Sequence, residues 1–253
     1  VADAWHGKSR DPFFTSFPAP HLDVNSQKNA SRGRPVVCVT SGGTTVPLER
    51  NTVRSIDNFS TGRRGALSAE SFLSLGYAVI YVHREGCCVP YARAVSDATS
   101  KHFDLEYMSC LQTRREGGID LSPKQGGRRS PLPDTLHQCQ HDPTKLLTVA
   151  SLPPSMSPLL ACRCVSLDLS QLGRHAMLYL AAAVSDFYIP SDQLSCHKIQ
   201  SEGGALTLQL EGVPKCLGMV RSVWCQDAFC VSFKLETDES LLQSKARGAI
   251  EKY

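Results

Sequence analysis

An α/β fold with a mostly parallel central sheet is what this 253-residue sequence predicts, and three observations predict it. Runs such as Val36-Val37-Cys38-Val39 are continuously apolar, which is how strands buried on both faces read. Stretches with helical spacing separate those runs, the order that builds β-α-β units with right-handed crossovers. The first run stops at Ser41-Gly42-Gly43-Thr44, a strand-end turn that leaves room for a ligand beside the backbone. Together they describe a Rossmann-like three-layer sandwich.

Taken in order, residues 1–34 carry Pro, Ser, Asn and charges with no apolar signal-peptide core. They are expected to form a flexible leader, and the initial Val1 implies a start further upstream. Residues 35–40 read as a buried strand and 44–59 as a long loop. Residues 62–75 read as a helix, because Ala66, Ala69 and Leu73 fall on one line with Leu67, Phe72 and Leu75 beside it. Gly76 stands where a left-handed helix end takes glycine, and 77–83 form the second strand.

Residues 35–253 are expected to make a single domain with an irregular insertion at about 96–170. Arg-Arg-Glu-Gly-Gly, Gly-Gly-Arg-Arg-Ser-Pro and Pro-Pro-Ser-Met-Ser-Pro show no steady period there. Order returns with a buried strand over 176–184 that ends in Ala181-Ala182-Ala183. Residues 205–211 alternate, with Leu206, Leu208 and Leu210 on one face, and so predict a half-exposed strand. Pro214 opens a helix to about Trp224, and 229–233 read as another buried strand. Asp238 would cap a last helix carrying Leu241, Leu242, Ala246 and Ile250.

Composition removes several functions. A net charge of +3, with 42% hydrophobic and 20% charged residues, fits an ordinary globular protein. The pairs Arg63-Arg64, Arg114-Arg115 and Arg128-Arg129 lack interleaved aromatics, so no nucleic-acid partner is expected. No apolar run approaches the ~20 residues of a membrane helix. Eleven cysteines without a C-x-x-C pair or a secretory signal predict reduced thiols and a cytoplasmic location.

The chemistry concentrates at two glycine features. Gly42-Gly43 ends a strand, and Ser60-Thr61-Gly62 precedes a helix. Backbone N–H groups and the helix dipole would face an anion there. Glycines also occupy any tight strand-helix turn, but two such features around one β-α-β unit favour a nucleotide-type ligand. Neither G-x-G-x-x-G nor the P-loop pattern is present. Asp186 follows the tri-alanine strand end, where α/β proteins bind ligands, or else caps the next turn. Lys198 would either neutralise charge developing on a phosphoryl group or stand solvated at the surface. Ser195-Cys196-His197-Lys198 fits S-x-x-K without that pattern's companion elements. In His137-Gln138-Cys139-Gln140-His141 the candidate ligands stand two apart, which suits few structural zinc sites, and no metal site is expected.

Read together, Val39-Thr40-Ser41-Gly42-Gly43-Thr44, Val46-Pro47-Leu48-Glu49, residues 53–65, residues 179–188, His197-Lys198-Ile199-Gln200-Ser201 and residues 232–238 closely resemble phosphopantothenoylcysteine synthetase in its animal form. The likeness covers 35–91 and 173–253. It implies ligation of 4′-phosphopantothenate with L-cysteine through an acyl-adenylate, with ATP and Mg²⁺, in a homodimer that serves coenzyme A biosynthesis. The resemblance implies Gly42, Ser60, Gly62, Gly65 and Phe233 as nucleotide-binding, with Gly43 beside them in the turn. It implies Asn58, Ala182, Ala183 and Asp186 for phosphopantothenate. Asn58 would hold the acyl-nucleotide carbonyl, and Lys198, in a mobile flap, would balance charge at the α-phosphate.

Two departures accompany the likeness. The family's counterpart of 96–170 is more regular and partly helical. A further strand with a nucleotide-contacting asparagine is also expected after the last helix, so the fold should lack its last C-terminal elements. A non-catalytic form of the same family is one alternative. A Rossmann-type oxidoreductase is another, and it would need an acidic residue where the second strand ends Val82-His83-Arg84.

Overall fold

Successive strand residues face opposite sides of a sheet. Every residue of β1 (Val36–Ser41) is buried, so both sides of this strand must be covered. The computed structural model, which describes residues 33–91, 111–113, 119–121, 147–152, 158–201 and 204–252, shows by what.

From β1 the chain makes an antiparallel hairpin, β2 (Thr44–Pro47) and β3 (Ser55–Asn58), then α1 (Arg63–Ser74) and β4 (Ala78–Arg84). A small antiparallel pair, β5 (Leu111–Thr113) and β6 (Ile119–Leu121), precedes β7 (Leu147–Leu152) and α2 (Pro158–Leu169). A 3₁₀ segment (Ser170–His175) leads into β8 (Ala176–Leu180). The short strands β9 (Phe187–Tyr188) and β10 (Glu211–Gly212) pair antiparallel. After them come α3 (Cys216–Met219), which runs into a π turn at Val220–Trp224, then β11 (Phe229–Ser232) and α4 (Glu239–Lys252).

Five strands form one parallel sheet in the order β11, β8, β1, β4, β7. The chain builds outward from β1 to β7, then returns to place β8 on the other side of β1. That reversal is a topological switch point, and α/β sheets bind ligands at the carboxyl ends of the strands flanking it. On one face Val36, Cys38 and Ile80 pack against Val165 and Leu169 of α2 and against Val220 and Trp224. On the other, Val37, Val39 and Tyr81 pack against Ala66, Ala69 and Leu73 of α1. The expected three layers around a mostly parallel sheet are therefore present, and each large side chain buried this way contributes about 1.5–3 kcal/mol.

Five expectations need correction. Residues 44–59 are not a long loop, since the β2–β3 hairpin pairs Thr44 with Asn58 and Pro47 with Ser55. Within 96–170, β7 pairs with β4 in the main sheet, and Val165 and Leu169 of α2 are fully buried. Periodicity missed α2 because its sequence is apolar on most sides, its exposed Leu167 being as apolar as the buried Val165 and Leu169. The strand expected over 176–184 stops at Leu180, where the backbone leaves β1's register. Over 205–211 only Glu211 is paired as strand, and Leu206 and Leu210 lie exposed because nothing among the described residues covers that face. The strand at 229–233 exists but is not buried: it is an edge strand with Phe229 exposed. The 1–34 leader, apart from its last two residues, and His137–His141 lie outside the described residues.

Candidate functional site

The turn leaving β1 requires glycine twice. Gly42 has φ +91, a left-handed value, and a Cβ on it would stand 2.6 Å from Cys87 Sγ. A Cβ on Gly43 would stand 1.9 Å from the backbone oxygen of Asn58, so the turn and the hairpin approach as closely as backbone can. Across the switch point, Ala183 N–H donates to Gly42 O at 2.8 Å. Thr44 Oγ1 donates to Ala183 O at 3.2 Å and accepts from Ser185 N–H at 2.7 Å. The stretch 181–185, with Ala182 and Ala183, is thereby stitched to the glycine turn.

The start of α1 lies against the same turn. Ser41 Oγ donates to Gly62 O at 2.9 Å, and Gly62 takes φ +75. Gly65 packs so tightly on Ser41 that a Cβ would meet its Oγ at 2.3 Å. The N-cap residue Gly62 has no capping side chain, and Thr61 Oγ1 accepts from Arg63 N–H at 3.5 Å. The other first-turn amides are thus presented beside Ser60 and Gly62, an arrangement that suits an anionic group. Cys88 N–H donates to Thr61 O at 2.9 Å, and Tyr81 OH donates to Cys88 O at 2.7 Å, holding the loop from behind.

Asn58 stands at the open end of the hairpin, paired with Thr44. Its neighbour Asp57 is paired with Arg84 at the end of β4, and Arg84 Nη1 also donates to Thr45 Oγ1 at 2.8 Å. The hydrogen bond from Arg84 holds the Asp57 carboxyl below the usual carboxylate range, and the same bond raises Arg84. Arg84, which stands where a nicotinamide-type oxidoreductase would need an acidic residue, is committed to this brace.

The remaining predicted residues are distributed around that centre. Asp186 is exposed and pairs with Lys215 at 3.0 Å. Phe233 follows β11, stacks edge-on with Tyr179 at 5.1 Å, and carries the Arg64 guanidinium 4.7 Å from its ring centroid. Lys198 is exposed on a loop docked at the far, closed end of the hairpin, where Arg50 N–H donates to Ser195 O at 2.8 Å. No hydrogen bond or ion pair joins the Lys198 ammonium to the glycine turn among the described residues. The structure therefore gathers Gly42, Gly43, Asn58, Ser60, Gly62, Gly65, Ala182 and Ala183 at one switch point. Asp186 adjoins Ser185 there, Phe233 stands at the α1 side, and Lys198 stands apart.

Sequence reasoning gave no role to Ser41, Thr44, Glu49, Arg54, Arg84 or Lys215. Ser41 and Thr44 flank the two glycines, and their hydroxyls bond backbone on separate segments, a signal visible only as hydroxyl residues beside a turn. The nine described cysteines are all free, and burial raises Cys38, Cys162 and Cys230 away from reactivity. Among the described residues no group of three or more His, Cys, Asp or Glu could hold a metal ion, and no helix is long and apolar enough to cross a membrane.

Comparison with known proteins agrees with this geometry. The model of the DNA/pantothenate metabolism flavoprotein C-terminal domain matches residues 166–252. Phosphopantothenate–cysteine ligase 1 of Oryza sativa subsp. japonica is 45% identical over 225 residues, covering 85% of this chain and 64% of that protein. The phosphopantothenate–cysteine ligase of Homo sapiens is 41% identical over 229 residues, covering 88% of this chain and 70% of that protein. The chain thus spans just under two thirds of the rice relative. A solved structure of a Cab2 variant in complex with phosphopantothenate-cysteine superposes with a TM-score of 0.71 at 35% identity, covering 95% of this chain and 79% of that one. A flavoprotein of the same description from Streptococcus pneumoniae, 20% identical with a TM-score of 0.53 over 87% of this chain and 78% of its own, shares the fold.

Proposed function

Because this chain belongs to the phosphopantothenate–cysteine ligase family, we propose that it joins 4′-phosphopantothenate to L-cysteine at the expense of a nucleoside triphosphate, ATP being the expected one. One observation carries the reading. The glycine turn, the start of α1 and the Asn58 end of the hairpin meet at the carboxyl ends of β1 and β8. An anion on the helix start would lie beside a carboxyl group held at Asn58.

The substrate carboxylate would attack the α-phosphate, breaking its bond to the β-phosphate and releasing pyrophosphate. The cysteine amine would then attack the acyl carbon, displacing the nucleoside monophosphate and losing a proton. Gly42, Gly43, Ser60, Gly62 and Gly65 would bind the triphosphate through backbone. Phe233, beside Tyr179 and Arg64, would pack against the base. Asn58 would hold the carbonyl oxygen on which charge develops, a contact whose loss typically costs about a hundredfold or more. Ala182 and Ala183 would let the pantothenate moiety lie against backbone, and Asp186 would receive one of its polar groups. Lys198 would balance charge at the α-phosphate. Mg²⁺ would be held through the triphosphate oxygens and water, since no acidic group among the described residues is placed to cage it. A homodimer and a cytoplasmic setting follow from the family reading and the reduced thiols.

Pyrophosphate release tests the reading directly. The chain is incubated with Mg²⁺, phosphopantothenate and cysteine, and with ATP or CTP in turn. Release that requires phosphopantothenate is expected, faster with ATP. Saturable binding of NAD with no binding of ATP or CTP would sink it.

A further inference from the structure

Glu49 has no part in that reaction, yet its carboxylate is completely enclosed. Its Oε1 accepts from Arg54 Nη2 at 2.7 Å, from Arg54 Nε at 3.0 Å and from Ile199 N–H at 3.4 Å. Its Oε2 accepts from Arg54 N–H at 3.0 Å and Val53 N–H at 3.3 Å. Arg54 Nη2 donates in turn to Ile199 O at 2.6 Å. Around this pair the backbones also join: Glu49 bridges Ser195, Arg50 N–H donates to Ser195 O at 2.8 Å, and Asn51 N–H to Cys196 O at 3.2 Å. Residues 195–199 thus lie along the closed end of the β2–β3 hairpin, with Lys198 one residue before the Ile199 anchor.

The other end of that hairpin carries Asn58. Each arm has four residues, so three rises of about 3.4 Å separate the two ends by roughly 10 Å. Arg84 braces the Asn58 end through Asp57. A buried carboxylate with both oxygens bonded is costly to leave half-satisfied, so the loop and the hairpin hold or release together.

We propose that Glu49 is a positioning residue that fixes the Lys198 loop on the hairpin bearing Asn58, setting the distance between the two groups that act on the phosphoryl and acyl centres. This rests on the ligase reading for its consequence in turnover, but not for the physical coupling. Misplacing a reacting group by about 1 Å costs on the order of a hundredfold in rate.

The test uses Glu49→Gln, which keeps the shape and removes the charge, in the full chain. Hydrogen exchange should quicken about tenfold or more at Ile199, whose N–H donates to Glu49, and at Arg50 and Asn51, whose N–H groups donate to the loop carbonyls, as loss of a charged hydrogen bond implies, while β1 and β4 amides stay unchanged. In pyrophosphate release, kcat should fall by about ten- to a hundredfold with the KM for ATP unmoved. In a Lys198→Gln background, Glu49→Gln should then cost nothing more, because it acts only through Lys198. Where Glu49→Gln does not yield folded protein, Arg54→Lys, which keeps a charge but loses the fork to Glu49 and Ile199, should give the same local exchange increase a few-fold smaller.

Unchanged exchange at Arg50, Asn51 and Ile199, an equal rise throughout the sheet, or a further loss in the Lys198→Gln background would each overturn the proposal. A chain with no turnover on any nucleotide would sink the ligase reading alone, since the exchange readout needs no substrate.

Discussion

Strands β1 and β11 belong to one sheet yet live in different surroundings. Every residue of β1 is buried between α1 on one face and α2 with the π turn on the other. Among the described residues the β11 strand borders only β8, leaves Phe229 exposed, and is followed by α4, which buries none of its residues. The candidate site spans both. The turns proposed to face phosphate hang from the enclosed strand, where close packing holds backbone in place. Phe233, proposed to face the base, hangs from the open one and is held by an edge contact with Tyr179 and a guanidinium over its ring. Under the proposed function, a group common to all nucleotides would be met by rigid backbone, and the variable base by adjustable side chains.

The sharpest way to break that comparison is Gly43→Ala. The new methyl would meet Asn58 O at 1.9 Å, and both partners are backbone, so neither can step aside as a side chain would. Overpacking costs about 1–3 kcal/mol and sometimes more, which for a chain of this size corresponds to a melting temperature lower by roughly 2–12 °C. Pyrophosphate release should fall below detection even in protein that folds. Full activity would show that the hairpin and turn are not held as closely as the geometry states.

A second test compares the core directly. Ile80 on β4 is 1% exposed, inside the cluster that α2 and Trp224 complete. Ile80→Ala should lose about 2–5 kcal/mol in urea unfolding through lost burial and the cavity left behind. A loss under about 1 kcal/mol would mean that the enclosed half can collapse around the gap, and that its rigidity is overstated.

How much of this was legible in the sequence divides along the same line. The glycine turn could be read because only glycine tolerates φ +91 beside a packed neighbour, and the run ending at Ser41 is continuously β-branched. The helix α1 showed its apolar stripe because one of its faces meets solvent. The helix α2 hid because it is apolar on most sides, and the β2–β3 hairpin hid because its four-residue arms are too short for alternation to stand out. Residues 205–211 misled for the opposite reason: the alternation is real, but no partner among the described residues uses it. Glu49 and Arg54 read as two ordinary charges five apart. Glu49 is buried, and one of its hydrogen bonds comes from Ile199, a residue 150 positions beyond it, and such a long-range contact leaves no local trace. For Lys198 the residues left the choice open between a phosphoryl contact and a solvated lysine, the resemblance supplied the expected role, and the docking of its loop on the hairpin was not foreseen.

Acid titration sharpens the comparison through two kinds of carboxylate. Burial would raise Glu49, but the Arg54 guanidinium and the Arg54, Ile199 and Val53 amides outweigh it and bring it from 4.5 to about 2. A carboxyl whose folded pKa lies below its unfolded value contributes stability above the unfolded pKa, and that contribution drains as pH falls toward the folded one. Stability should therefore decline between about pH 4.5 and 2, and Glu49→Gln should flatten that slope in urea titrations. On the open half, Glu236 is held down by Lys245, and Asp238 by Ser240 at the start of α4. The Lys245 ammonium is 45% exposed, so 1 M salt, with a screening length of about 3 Å, should weaken the share of the slope that comes from the Lys245–Glu236 pair, and spare the neutral Ser240 bonds of Asp238 and the buried Glu49. A slope wholly abolished by salt would place Glu49 in solvent.

The smallest expected effect lies at Leu241→Ala on α4. Leu241 is 42% exposed and the helix buries no residue. Alanine is at least as good a helix former as leucine, so propensity does not oppose the change. With little apolar surface to lose, the substitution should leave the unfolding free energy within about 0.5 kcal/mol of the parent, the range of ordinary surface changes. The same substitution type at Ile80 removes a similar number of methylenes, so the ratio of the two losses measures how unequally the halves of the sheet are enclosed. A loss at Leu241 approaching 2 kcal/mol would mean that the outer face of α4 is covered in solution. Repeating the measurement across a range of protein concentrations would then identify the cover: a loss that grows as the chain concentrates is burial against a second copy, because association enters stability by mass action.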